Sequence, residues 1–227
     1  MYDMLCAGCG HRTAMMLLDD IISERKLKEK IVLALDVACC SLLIDFVDYD
    51  SIMCAHGRVL DVTKGYKTVR DDMVVVSYMG DGAAYSIGIE EMVHSARRND
   101  DALVVVINNG LYSMTGGQVA PTYVNKVGDN LESSKMSVNA GFKIENLISG
   151  FSISYLARAA LSDKENIDLA KQYINTAFDK YIKSGGFNLV ELLSPCPTNY
   201  KMTPKDAADY INNTLSKVYK LGEIINA

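Results

Sequence analysis

Apolar and polar positions along the 227-residue chain fall into two alternating kinds of run. Short apolar runs rich in β-branched residues read as buried strands at 31–35, 73–78, 102–107, 153–160 and 187–193, with a shorter one at 51–55. Between them the period lengthens to that of a helix. Residues 11–25 place Met15, Leu18 and Ile22 on one side and Asp19, Asp20, Ser23 and Glu24 on the other. The segment after Gly82 sets Ile87, Met92, Val93 and Ala96 against Glu90, Glu91, Arg97 and Arg98. Further helices are predicted at 59–69, 142–148, 164–183 and 204–221. Gly185-Gly186 closes the third of these, and Thr203-Pro204 opens the last as N-cap and first-turn proline. Residues 123–141, polar and rich in Gly, Asn and Ser, read as a long surface loop of the lid or binding type. The alternation predicts an α/β fold, a doubly wound, mostly parallel sheet with helices on both faces. It is expected as one domain over 1–227, with a cysteine-rich N-terminal segment and a C-terminal tail.

The strand ends carry the chemistry. The run at 73–78 leads into Gly80-Asp81-Gly82, whose glycines permit positive φ and close approach of a ligand. The run at 102–107 delivers Asn108-Asn109. Both groups then stand at the carboxyl edge of one βαβ unit, where open parallel sheets bind ligands. No Lys or Arg occurs from Gly80 to Ser95, so a carboxylate, amide oxygens and backbone carbonyls are the available donors. Such hard oxygen donors suit Mg²⁺, and the free N–H groups after Gly82 suit an anion. A diphosphate held by backbone amides and bridged by a metal satisfies both. An ATP-type P-loop is excluded for want of Gly-Lys-Ser/Thr. A dinucleotide fingerprint fails because Tyr85 stands at the third glycine position and Asp101 precedes the second strand.

Composition narrows the field. With 49% hydrophobic and 22% charged residues the chain is that of a globular protein, and a formal charge of −5 leaves no footprint for nucleic acid. The apolar run at 31–35 is cut by Asp36, so no membrane span is expected. The first residues lack a signal peptide's pattern, which predicts a cytoplasmic protein. Six cysteines then point to metal or redox chemistry rather than disulfides. Cys6 and Cys9 form a CxxC; Cys39-Cys40 follow one strand and Cys196 another, both at the edge that carries Gly80-Asp81-Gly82. Four thiolates from three segments suit Zn²⁺ or a [4Fe–4S] cluster equally by ligand count. A cluster beside a cofactor that yields electrons has a use there. Cys54, in a short apolar run, reads as a plain buried thiol, and His94 as structural.

Gly80-Asp81-Gly82 with Asn108-Asn109, continued by Tyr112-Ser113-Met114-Thr115-Gly116-Gly117-Gln118 and Pro121-Thr122, resembles the thiamine diphosphate motif of a known family. It is similar to the β subunits of 2-oxoacid:ferredoxin oxidoreductases, most of all the 2-oxoisovalerate (branched-chain) or 2-oxoglutarate types, over residues 6–199. The resemblance implies that Asp81 and Asn109 ligate Mg²⁺ by side chain and Leu111 by its carbonyl. Gly80, Gly82 and Ala83 would hold the diphosphate, and Tyr112, Ser113, Met114 and Thr115 the thiazolium side. His11, Cys40 and Ser41 would stand near the cofactor. Met114, where some relatives have a polar residue, suits an apolar substrate. His56, in His56-Gly57-Arg58, is either near the cofactor or a helix-start histidine held by backbone.

The family's cluster ligands match Cys6, Cys9, Cys40 and Cys196, with Cys39 where glycine is usual. The implied reaction is reversible oxidative decarboxylation of a 2-oxo acid to acyl-coenzyme A and CO₂, with electrons passed to ferredoxin. The implied partners are an α subunit, which brings the activating carboxylate, and a ferredoxin-like subunit. No catalytic residue is expected from this chain alone. A cluster-free thiamine diphosphate-dependent decarboxylase subunit and a structural zinc module are the alternatives.

Overall fold

The computed structural model describes residues 4–124 and 141–227. The predicted loop at 123–141 lies almost wholly outside the described residues. Seven strands build the main sheet: β1 (Ile31–Asp36), β2 (Ser51–Cys54), β3 (Val74–Gly80), β4 (Ala102–Asn108), then β7 (Tyr155–Ala160), β8 (Phe187–Leu193) and β9 (Gly222–Asn226). A small ribbon, β5 (Leu111–Tyr112) with β6 (Gln118–Val119), stands apart from it. The sheet order is β2-β1-β3-β4-β8-β7-β9, parallel throughout except for β9, which runs antiparallel beside β7.

Helices cover both faces, as the alternation predicts. On one face α1 (Gly10–Glu24) and α5 (Lys164–Ser184) bury Leu18, Ile21, Ile22, Ile174 and Phe178 against Leu33, Val76, Val105 and Val190. On the other, α2 (Val59–Val69), α3 (Ile89–Arg98) and α4 (Glu145–Ile148) bury Leu60, Met92, Ala96 and Ile148 against Val75, Val104 and Leu189. β3, β4 and β8 are therefore buried on both sides, the reason their sequences read as hydrophobic runs with only Ser77, Asn188 and Glu191 interrupting them before the strand ends. Each such fully buried Val, Leu or Ile stabilises the fold by about 1.5–3 kcal/mol.

Three predictions shift. The helix after Gly82 is not continuous: Ala83–Ile87 winds as a π-helix, with Gly88 N–H bonded to Ala83 O at 2.7 Å, before α3 begins. The extra residue rotates Ile87 out of the apolar stripe, and it is exposed. The predicted helix at 142–148 shrinks to α4. The predicted C-terminal helix breaks into α7 (Pro204–Tyr210), a π turn (Ile211–Leu215) and one last turn (Ser216–Val218), with β9 after it. Five residues of an edge strand carry too little alternation to stand out from a helix end. Before α7, Pro197–Tyr200 forms a short helix, α6, that the sequence pattern also hid.

The chain leaves β1 toward β2 on one side and returns to β3 on the other. This switch point opens a crevice at the carboxyl ends of β1 and β3. Beneath it lies a buried ionic network. The Asn108 amide donates to Glu191 at 2.6 Å, and the fully buried Arg158 joins Glu191 and Glu145 at 2.5 and 2.6 Å. Two carboxylates and the Lys220 carbonyl accept from the guanidinium that β7 carries through the core, which is the condition for burying it. Among the described residues no helix is long and apolar enough to cross a membrane.

Candidate active site at the carboxyl edge of the sheet

The crevice encloses about 660 Å³, open mouth included. Its wall brings together residues from five places in the chain: His11, Asp36 to Cys40, His56, Gly80 to Ala83, and Asn109 with Leu111 to Thr115. Of the predicted cofactor contacts only Ser41 stays out. Its hydroxyl donates to the Ala38 carbonyl at 2.7 Å and fastens the turn.

Asp81 is buried where β3 ends. Burial pushes its carboxyl up to about 7, partly offset by the Thr122 hydroxyl, which donates to Oδ2, and by the Asn109 N–H. Among the described residues no Lys or Arg lines the crevice. A buried carboxylate so placed lacks a cation, and a metal would supply it. Asn109 folds the next turn: its Oδ1 accepts from the Leu111 N–H at 2.9 Å, and its carbonyl accepts the Tyr200 hydroxyl at 2.7 Å. Gly82 has an ordinary negative φ of −62°, so left-handed backbone is not its reason. A Cβ there would stand 2.4 Å from the Tyr112 ring, so the glycine lets the aromatic close over the turn.

His11 is buried beneath the crevice, Nδ1 3.0 Å from the Tyr78 hydroxyl, and burial lowers its pKa to about 4. It is a neutral, oriented wall. His56 is half-buried and held from behind. The Asp36 carboxylate meets its Nδ1 at 2.6 Å and accepts the Gly57 N–H at 2.7 Å. The histidine thus faces the crevice, held by a side chain rather than by backbone alone. Asp36 and Thr122 bond to residues of the crevice, and the sequence reading did not name them as site residues. Asp36 had a signal, the charged residue ending an apolar strand; Thr122 stood in the Pro121-Thr122 end of the motif, but its pairing with Asp81 came only with the fold.

The thiols sit on the adjoining rim. The Gly10 N–H bonds to Pro195 O at 3.2 Å and docks the CxxC loop on the segment that carries Cys196. Burial pushes Cys9 up to about 12 against the His11 N–H, and the neighbouring Cys196, Cys39 and Cys6 push further. Cys39 rises to about 11 by burial, then through Cys196 and Cys6. Of the adjacent pair, Cys39 is therefore the thiol that feels the charges of Cys196 and Cys6. Cys40, expected as the third ligand, is fully buried, and its Sγ donates to Asp36 O at 3.3 Å in the floor of the crevice. The two begin a 3₁₀ segment, Cys39–Phe46, whose three residues per turn aim successive side chains about 120° apart, so one faces the rim and the other the core. Among the described residues no three His, Cys, Asp or Glu side chains converge into a ready metal-holding group. The four thiols act on one another's charge without closing on a point. Cys54 is buried, as predicted, and His94 is exposed on α3.

Residues 36–192 match the thiamine pyrophosphate enzyme family at its C-terminal TPP binding domain. Subunit VorA of ketoisovalerate oxidoreductase from Methanothermobacter thermautotrophicus is 32% identical over 218 residues, covering 94% of the chain and 46% of that protein. Subunit KorB of 2-oxoglutarate synthase from Archaeoglobus fulgidus is 30% identical over 213 residues, covering 93% and 76%. The β subunit of a 2-oxoacid:ferredoxin oxidoreductase from Saccharolobus solfataricus is 30% identical over 222 residues, covering 96% and 68%. The chain thus spans about half the length of one relative and two thirds or more of the others. Among solved structures, a 2-oxoglutarate:ferredoxin oxidoreductase from Magnetococcus marinus, with 2-oxoglutarate, coenzyme A and succinyl-CoA bound, superposes with a TM-score of 0.74 at 24% identity. That superposition covers 94% of this chain and 70% of the other, and carries the fold.

Proposed function

The chain belongs to the subunits of 2-oxoacid:ferredoxin oxidoreductases that carry the thiamine pyrophosphate-binding domain, and from that premise we propose that it holds two centres. One is a thiamine diphosphate bridged to protein by Mg²⁺; the other is a [4Fe–4S] cluster on the rim. The observation that carries the reading is their adjacency, for the Ser113 hydroxyl on the crevice wall lies 3.3 Å from Sγ of Cys196.

Asp81, the Asn109 amide oxygen and the Leu111 carbonyl would hold the cation, and its charge would answer the buried carboxylate. Gly82 and Ala83 N–H groups, in a turn that no side chain caps, would receive the diphosphate. Tyr112 and the neutral His11 would shield the bound group from water, and His56, set by Asp36, would line its site. Thiamine diphosphate, when bound, supplies the electron sink that lets a 2-oxo acid lose carbon dioxide. Cys6, Cys9, Cys39 and Cys196 would hold the cluster, which takes up electrons singly, and its iron would compensate the thiolates that burial disfavours at Cys9 and Cys39.

Among the described residues both carboxylates in the crevice are engaged, Asp81 by Thr122 and Asp36 by His56 and Gly57. This supports an activating carboxylate supplied by a partner subunit. Coenzyme A as acyl acceptor and ferredoxin as electron acceptor complete the reading. The exposed Met114 and the absence of Lys or Arg from this wall favour an apolar 2-oxo acid over a dicarboxylic one.

The test is the complex assembled with its partner subunits, supplied with 2-oxoisovalerate or 2-oxoglutarate. Coenzyme A-dependent reduction of ferredoxin, faster with 2-oxoisovalerate, is expected. Carbon dioxide release without ferredoxin reduction would assign a decarboxylase instead.

A further inference from the structure

Ser113 stands between the two centres. Its Oγ lies 3.3 Å from Oδ1 of Asn109 and 3.3 Å from Sγ of Cys196. A serine hydroxyl has one proton, so it donates to one of these at a time. Oδ1 of Asn109 also accepts the Leu111 N–H at 2.9 Å, so with Ser113 both of its lone pairs are used. On the sulfur side the Asn199 amide lies 3.5 Å from Cys196 Sγ and donates to the Ser113 carbonyl at 3.1 Å. Gly117, at φ +81°, lets the loop press onto this asparagine; a Cβ there would stand 2.7 Å from its Oδ1. Ser113 is thereby fixed at both its backbone and its side chain, with a rotatable proton as its only freedom.

We propose that Ser113 is a positioning residue that couples occupancy of the cation–diphosphate site to the reduction potential of the rim cluster. A cation on the Asn109 amide oxygen needs a lone pair that the Ser113 hydroxyl occupies. The hydroxyl is released and donates to Cys196 instead. A ligating sulfur is a thiolate and can only accept, so the direction of this bond is fixed. Hydrogen bonds to ligating sulfurs withdraw charge from a cluster and favour its reduced form. Filling the cofactor site therefore raises the potential of the acceptor beside it, and the cluster becomes easier to reduce when a donor is in place. The exchange makes and breaks hydrogen bonds only. It rests on the ligand sets proposed above.

The test uses the full chain purified anaerobically, with the cluster midpoint followed by electron paramagnetic resonance during a redox titration. Each sample is titrated with and without Mg²⁺ and thiamine diphosphate. The wild-type chain should show an upward shift on loading. Ser113→Ala should lose that shift with its iron content unchanged, and Ser113→Thr, which keeps the hydroxyl, should restore it. A wild-type midpoint indifferent to loading overturns the coupling, as does an equal shift in Ser113→Ala. A chain that binds thiamine diphosphate but shows no cluster signal overturns the ligand assignment beneath it.

Discussion

The crevice and its rim are built in opposite ways. The crevice grows out of one βαβ unit, β3 to β4, with Asp81, Asn109 and Leu111 within 31 residues of one another and hydrogen bonds already in place. The rim is gathered from three segments as far apart as Cys6 and Cys196, and burial together with the neighbouring thiols pushes Cys9 and Cys39 toward their neutral forms. One is preorganised around a buried carboxylate; the other is a set of thiols that, on the proposed reading, a metal would draw together. Local sequence can write the first, whereas the second depends on the sheet order.

That contrast can be broken most sharply at the cysteine pair. Cys39→Ser should abolish cluster binding, and Cys40→Ser should leave iron per chain unchanged. The reverse result, read by iron analysis, would return the ligand role to the core-facing thiol. A smaller effect is expected at Asp81. Its carboxyl titrates near 3.8 when unconstrained and about 7 in the metal-free fold. Between these values the unfolded chain gives up its proton first, so the metal-free fold loses stability as pH rises from about 4 to about 7. The loss should reach about 4 kcal/mol above that range. Asp81→Asn should flatten this dependence in denaturation measured at pH 5 and pH 8 with chelator present. An unchanged slope in the variant would place the cost elsewhere. The smallest effect is expected at Asp36→Asn, which weakens the hold on His56 and the Gly57 N–H. Thiamine diphosphate should bind about tenfold more weakly by calorimetry, ~1.4 kcal/mol, with the cluster unaffected. Equal affinity would reduce Asp36 to a loop fastener.

The same contrast explains what the sequence made legible. The strands at 31–35 and 187–193 and the helix at 59–69 were readable because burial on both faces, or along one stripe, leaves an unbroken pattern. Gly80-Asp81-Gly82 with Asn108-Asn109 was readable because the spacing of one βαβ unit brings those groups to one edge. The choice between Cys39 and Cys40 was not, because it turns on the direction of one turn of 3₁₀ helix, which either residue's neighbours would permit. The pairings of Asp36 and Thr122 were hidden for a related reason. Their partners His56 and Asp81 lie 20 and 41 residues away, and nothing local marks the pairing. The reason for Gly82 came out differently as well, since it makes room for Tyr112 instead of supplying positive φ.

The central claim is that one chain carries both centres at one edge of its sheet. Anaerobic purification followed by counts of iron, acid-labile sulfide and bound thiamine diphosphate per chain tests it most directly. About four irons and four sulfides, with thiamine diphosphate binding at one per chain in the presence of Mg²⁺, is the predicted result. One zinc and no sulfide, in a chain that still binds thiamine diphosphate, would contradict it and leave the rim a structural clasp.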